Sequence, residues 1–68
     1  MAEFIYNVKK FRLLQDLTQG ELAERVGLRR ETIIRLEKAQ YNPSLKFAID
    51  ISRTLGAPIE GMFVTVQQ

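Results

Sequence analysis

The sequence predicts an all-α fold of five short helices, with the two chain ends able to pair as a small antiparallel β-ribbon. Three observations predict it. Between residues 7 and 62 apolar side chains recur at helical spacing and are interrupted by start and stop signals: Thr18, Pro43-Ser44 and Pro58 at starts, Gly27 and Gly56 at stops. Only the ends, Glu3-Phe4-Ile5-Tyr6 and Met62-Phe63-Val64-Thr65-Val66, turn to β-favouring composition. Finally, 68 residues with 46% hydrophobic content suffice for one small core and one domain, residues 1–68.

The elements follow in order. The run Glu3-Phe4-Ile5-Tyr6 is too short to be a helix of its own. Asn7 is a candidate N-cap for a first helix from Val8 to about Gln15, with Val8, Phe11 and Gln15 on one face and Arg12 beside it. Leu13 points away from Phe11, so Leu13 and Leu14 are either scattered surface leucines or a contact with another protein. Thr18 with Glu21 three residues on is a capping box. Leu22, Ala23 and Val26 then form an apolar stripe, and Gly27 supplies the left-handed backbone of a sharp exit. A third helix begins at about Leu28-Arg29, with Ile33 and Leu36 one turn apart as its anchor. Two helices meeting at close range need a small contact, and Ala23 fits. Residues 18–37 thus have the layout of a helix-turn-helix. Pro43 and Ser44 open a fourth helix to about Leu55, Ser44 being its N-cap or first residue. Leu45, Phe47, Ala48, Ile49, Ile51 and Leu55 cover more than one stripe of it, so it touches more than one neighbour, one of them on a face open to a dimer partner. Gly56 closes that helix, and Pro58 opens a fifth from Ile59 to about Met62. Segments 3–6 and 62–66 are then the candidate strands, pairing within one chain or across a dimer. A lone ribbon of that size is weak in water and must lean on the helices or on a second copy.

Composition removes whole classes of chemistry. There is no cysteine and no histidine, hence no disulfide, zinc finger, thiol nucleophile or imidazole base. Ser44, Ser52 and Thr32 lack a base or a glycine-rich phosphate loop nearby, so an enzyme is not expected, nor a cofactor or metal. No apolar run reaches membrane-spanning length and the first residues do not read as a signal peptide, which fits a cytoplasmic setting. The length leaves no room for a ligand-sensing domain. Net charge is only +2, but its distribution is uneven. Residues 28–46 carry Arg29, Arg30, Arg35, Lys38 and Lys46 against Glu31 and Glu37, a balance of +3. Residues 13–27 carry Asp16, Glu21 and Glu24 against Arg25, a balance of −2. Positive charge therefore gathers on the third helix and the loop after it, where phosphates would lie.

With Ile33 and Leu36 inward, the opposite side chains are free to enter a major groove. Arg29, Arg30, Glu31, Ile34 and Arg35 are the candidate base-reading residues. Arginine can donate twice to guanine, and Ile34 can meet a thymine methyl. Glu31 can accept from cytosine or can hold Arg35 one turn on. Thr18, Gln19, Lys38, Gln40, Tyr41 and Lys46 are the candidate phosphate contacts, partly through backbone N–H groups. An ordinary helical hairpin with a solvated arginine face would share the same periodicity.

The sequence resembles the Cro/Xre family of phage-repressor-type DNA-binding domains. The match runs through Leu17-Thr18-Gln19, Glu21-Leu22-Ala23, Val26-Gly27, Arg30, Thr32-Ile33, Arg35-Leu36-Glu37, Tyr41-Asn42-Pro43-Ser44-Leu45, Leu55-Gly56, Ile59 and Met62-Phe63, covering roughly residues 7 to 63. The resemblance implies a phage-repressor-like five-helix fold, a phosphate contact by Gln19, and an ion pair between Arg12 and Glu37 tying the first helix to the end of the third. Three departures stand out. Leu13 and Leu14 replace usually polar residues. Arg29 replaces a usual serine or threonine, weakening the cap. Ala39 replaces a usual glycine, so either the turn differs or the chain tolerates about 1 kcal/mol of strain. The expected function is that of a sequence-specific regulator of transcription, a homodimeric repressor reading a palindromic site on double-stranded DNA. The alternative is a protein-interaction module, antitoxin-like or a co-regulator, on the same scaffold.

Overall fold

The structure is a computed structural model and describes residues 2–67. The order is β1 (Ala2–Tyr6), α1 (Val8–Leu14), α2 (Gln19–Val26), α3 (Arg30–Glu37), α4 (Leu45–Leu55), α5 (Ile59–Met62) and β2 (Phe63–Gln67). The strands pair antiparallel within one chain, Ala2 opposite Gln67 through Tyr6 opposite Phe63. The ribbon is continued by Asn7 N–H donating to the Met62 carbonyl at 2.7 Å. Tyr6 and Phe63 close its inner end edge to face, ring centres 5.1 Å apart.

Each of the first four helices stops in the same way. The residue after the last turn takes a left-handed backbone: Asp16 (φ 60°), Gly27 (φ 74°), Ala39 (φ 57°) and Gly56 (φ 63°). The N–H groups just beyond each helix turn back onto its last carbonyls, as in Leu17 to Arg12, Leu28 to Ala23, Gln40 to Arg35 and Ala57 to Ser52. This satisfies carbonyls that would otherwise be left without donors. Ala39 thus adopts the left-handed turn and carries its strain. Gln15 adds a side-chain link, its Nε2 donating to the Leu55 carbonyl at 3.2 Å, so the ends of α1 and α4 meet.

The core is one cluster: Val8, Leu17, Leu22, Ala23, Val26, Ile33, Leu36, Ile51, Leu55, Ala57 and Met62, with Tyr6, Phe11, Leu28, Tyr41 and Phe63 packed around it. Helix α2 lies at its centre, packed on α3 and on α4.

Several sequence expectations are corrected. Asn7 does not cap α1; its Nδ2 donates instead to the Gly61 carbonyl at 3.1 Å, because the ribbon brings α5 beside it. The first helix ends at Leu14, one residue early. Met62 belongs to α5 and is fully buried, so β2 starts at Phe63. Leu45, the first residue of α4, projects beyond the core and is 73% exposed, on the part of the helix that its own chain leaves uncovered.

Candidate nucleic-acid interface

The second helix has both of its ends secured by neighbouring residues. Thr18 Oγ1 accepts from Glu21 N–H at 3.0 Å, and Glu21 Oε1 accepts from Thr18 N–H at 2.9 Å. The N–H bond to Thr18 holds the Glu21 carboxyl below its usual range, the Thr18 hydroxyl assisting. Gly27 then turns the chain directly into α3.

Helix α3 starts differently. Arg29 sits in the N-cap position with extended backbone and no side-chain capping bond. The helix is held by its inner face: Ile33 and Leu36 are fully buried. Arg29, Arg30, Glu31 and Arg35 are all exposed, and Ile34 is half-buried. Among the described residues none of these four charged side chains makes a hydrogen bond or ion pair. Glu31 therefore does not hold Arg35, although the spacing allows it. Three guanidinium groups and one carboxylate stand on one helix with all their hydrogen-bonding capacity available. A rigid helix of that kind is narrow enough for a major groove, and its arginines can donate in pairs to guanine.

The flanking candidates divide. Lys38 and Gln40 are exposed and Tyr41 is half-buried against the core. The N–H groups of Lys38 and Gln40 close α3 by donating to the Arg35 carbonyl, at 3.1 and 2.8 Å, so only their side chains remain for a phosphate. The Thr18 N–H is likewise engaged within the capping box. Lys46 sits at the start of α4, its Nζ 3.0 Å from Asp50 Oδ2 and 4.8 Å from the Phe47 ring centre, both contacts on an exposed surface.

Behind the surface, Arg12 and Glu37 form a buried ion pair, Nε to Oε2 at 2.7 Å. The Arg12 Nη1 also donates to the Leu17 carbonyl at 2.7 Å, so this one guanidinium joins α1, the loop before α2 and the end of α3. The sequence reading missed a third partner: Gln19 Nε2 donates to Glu37 Oε1 at 3.0 Å. Eighteen residues separate the two, and no periodicity announces a contact at that distance along the chain.

The comparisons with known proteins bear on this geometry. A family model described as "Helix-turn-helix" matches residues 8–62. The chain belongs to the Cro/Xre helix-turn-helix family. It is thereby a DNA-binding transcriptional regulator in type. It is 56% identical over 57 residues to an uncharacterized HTH-type transcriptional regulator of Archaeoglobus fulgidus, covering 84% of this chain and 80% of that one. A similarly named regulator of Methanocaldococcus jannaschii is 46% identical over 57 residues, covering 84% and 86%. Among solved structures, the hypothetical transcription factor NHTF from Neisseria superposes with a TM-score of 0.72 at 28% identity. That match covers 78% of this chain but only 60% of the longer protein. The transcriptional regulator VanUg matches with a TM-score of 0.75 at 24% identity over 98% of this chain and 89% of its own, which extends the likeness in fold into the terminal strands. Among the described residues no helix is long and apolar enough to cross a membrane.

Proposed function

We propose that this regulator is a sequence-specific transcriptional repressor that binds double-stranded DNA as a homodimer at a palindromic site. One observation carries the reading: α3 is fastened by fully buried Ile33 and Leu36 while Arg29, Arg30, Glu31 and Arg35 stand exposed and unpartnered on its other faces. Arg29, Arg30 and Arg35 read bases, with Glu31 and Ile34 available for cytosine and a thymine methyl. Thr18, Gln19, Lys38, Gln40, Tyr41 and Lys46 face phosphates and set register without carrying sequence information. A second copy places its own α3 in the next major groove, about 34 Å away. Among the described residues lining the groove of Tyr6, Asn42, Pro43, Leu45, Ile59 and Phe63 none is charged, so two copies can meet there without placing like charges directly against each other.

The interaction-module alternative draws on Leu13 and Leu14, which are 56% and 72% exposed, and on the apolar chain ends, which pair with each other as β1 and β2. The relatives' names favour regulation of transcription over it.

Selection of bound duplexes from a random pool tests the reading. The expected result is a sharp consensus with two symmetry-related half-sites about one helical turn apart. Weak binding without a consensus, erased by moderate salt, would overturn it.

A further inference from the structure

Glu37 belongs to two systems at once. Its carboxylate accepts from Arg12 Nε at 2.7 Å and Arg12 Nη2 at 3.3 Å, and it accepts from Gln19 Nε2 at 3.0 Å. The ion-pair side chains are 8% and 5% exposed, whereas Gln19 is half-buried and is the first residue of α2. The buried pair therefore reaches the surface through a single amide.

We propose that Glu37, itself held by Arg12, is a positioning residue for DNA binding that acts through Gln19. The inference rests on the proposed phosphate role of Gln19. A glutamine amide has one face that donates and one that accepts, and a free side chain samples both orientations over several rotamers. A carboxylate only accepts. Glu37 therefore fixes which end of the Gln19 amide turns inward: one N–H is held on Oε1. The second N–H is left in a set direction at the start of α2. A phosphate also only accepts, so a pre-set N–H is the group it needs. Ordering the side chain before the duplex arrives removes that part of the cost of binding. Arg12 completes the device. A carboxylate left without a counter-charge beside a phosphate would repel it, and Arg12 offsets that charge with two hydrogen bonds. The ion pair then does more than join α1 to α3; it carries the rigidity of the core to a side chain on the DNA face.

A cycle of variants in the full chain tests this. Arg12→Met together with Glu37→Leu removes both charges, so neither is left buried alone. Gln19→Ala is then made in the unmodified and in the doubly substituted background, with circular dichroism confirming the fold. Affinity is read on a duplex chosen by the selection above. In the unmodified background Gln19→Ala is expected to weaken binding about 3- to 10-fold, the range that ordering one flexible side chain supplies. In the doubly substituted background the same change is expected to alter it by less than about 2-fold, because the amide is already unheld. An equal loss in both backgrounds would overturn the proposal, since an ion pair that merely holds the fold predicts independent effects. No loss from Gln19→Ala in the unmodified chain would overturn it too, while sequence-selective binding would leave the regulator reading standing. Nuclear magnetic resonance of the unmodified protein needs no variant. The two Gln19 amide protons should have well-separated shifts and a rigid side-chain order parameter before DNA is added; averaged, random-coil-like signals would contradict the proposal.

Discussion

The two helices of the recognition unit, each eight residues long, begin in contrasting ways and end in the same left-handed turn taken by different residues. Helix α2 opens on the reciprocal Thr18–Glu21 box, with an acid at the positive end of its dipole, and closes on a glycine that takes the left-handed turn without strain. Helix α3 also has an acid in its first turn, Glu31, but it opens on Arg29 and Arg30 with no side-chain cap, and closes on Ala39, an alanine at φ 57°. Cations at a helix start and a Cβ in the left-handed region are both unfavourable. The comparison teaches that order and recognition are assigned to different helices. The first has both ends secured by local chemistry as well as burying Leu22, Ala23 and Val26. The second gives up local stability to present arginines, and depends on the side chains it buries.

The largest effect should come from removing that dependence. Ile33→Ala is expected to destabilise the domain by about 2–5 kcal/mol, read from the midpoint of a urea titration. In a domain of this size that is a large share of the total, and a change below about 1 kcal/mol would mean that α3 is not fastened by its inner face. Next in size, Thr18→Ala should cost about 1 kcal/mol by losing the cap. The matching experiments at α3 should go the other way. Arg29→Ser, restoring a capping hydroxyl, and Ala39→Gly, relieving the turn, should each stabilise by roughly 0.5–1 kcal/mol. Only Arg29→Ser should also weaken DNA binding. If both α3 changes destabilise, the contrast between the helices is not one of local chemistry.

The smallest effect is on pH dependence. Glu21 is held below the usual carboxylate range by the N–H of Thr18. A lowered folded-state value means that its stabilisation is complete above the ordinary carboxylate value and is lost as pH falls through the lower, folded one. Glu21→Gln keeps the reciprocal hydrogen bond without the titration. Its stability should fall less steeply than that of the unmodified chain as pH drops below the ordinary carboxylate value, by urea midpoints. Identical acid limbs would remove Glu21 as a contributor.

What was legible in the sequence was whatever the chain decides locally. The Thr18–Glu21 spacing, Gly27, Ser44 and Gly56 each fix a helix end through neighbours a few residues away, and each lies where it was read. The inward pair Ile33 and Leu36 followed from one-turn spacing, and the exposure of the arginines followed from that pair. Asn7 looked like a cap because asparagine usually is one, but the ribbon offers it the Gly61 carbonyl, fifty-four residues away. The broad apolar girth of α4 announced more than one face, but nothing in it marks Leu45 as the residue that overhangs. Gln19 looked free to meet a phosphate. Its link to Glu37 exists only because α2 and the end of α3 come together in the fold.

Binding by fluorescence anisotropy of the unmodified chain and of Arg30→Ala, each against its selected duplex and against random DNA, tests most directly whether α3 is the reading helix. The expectation is a loss of about 1–3 kcal/mol on the selected duplex, a much smaller loss on random DNA, and relaxed preference at one base pair. An equal loss on both would mean that this arginine, and the face it stands on, holds only the DNA backbone.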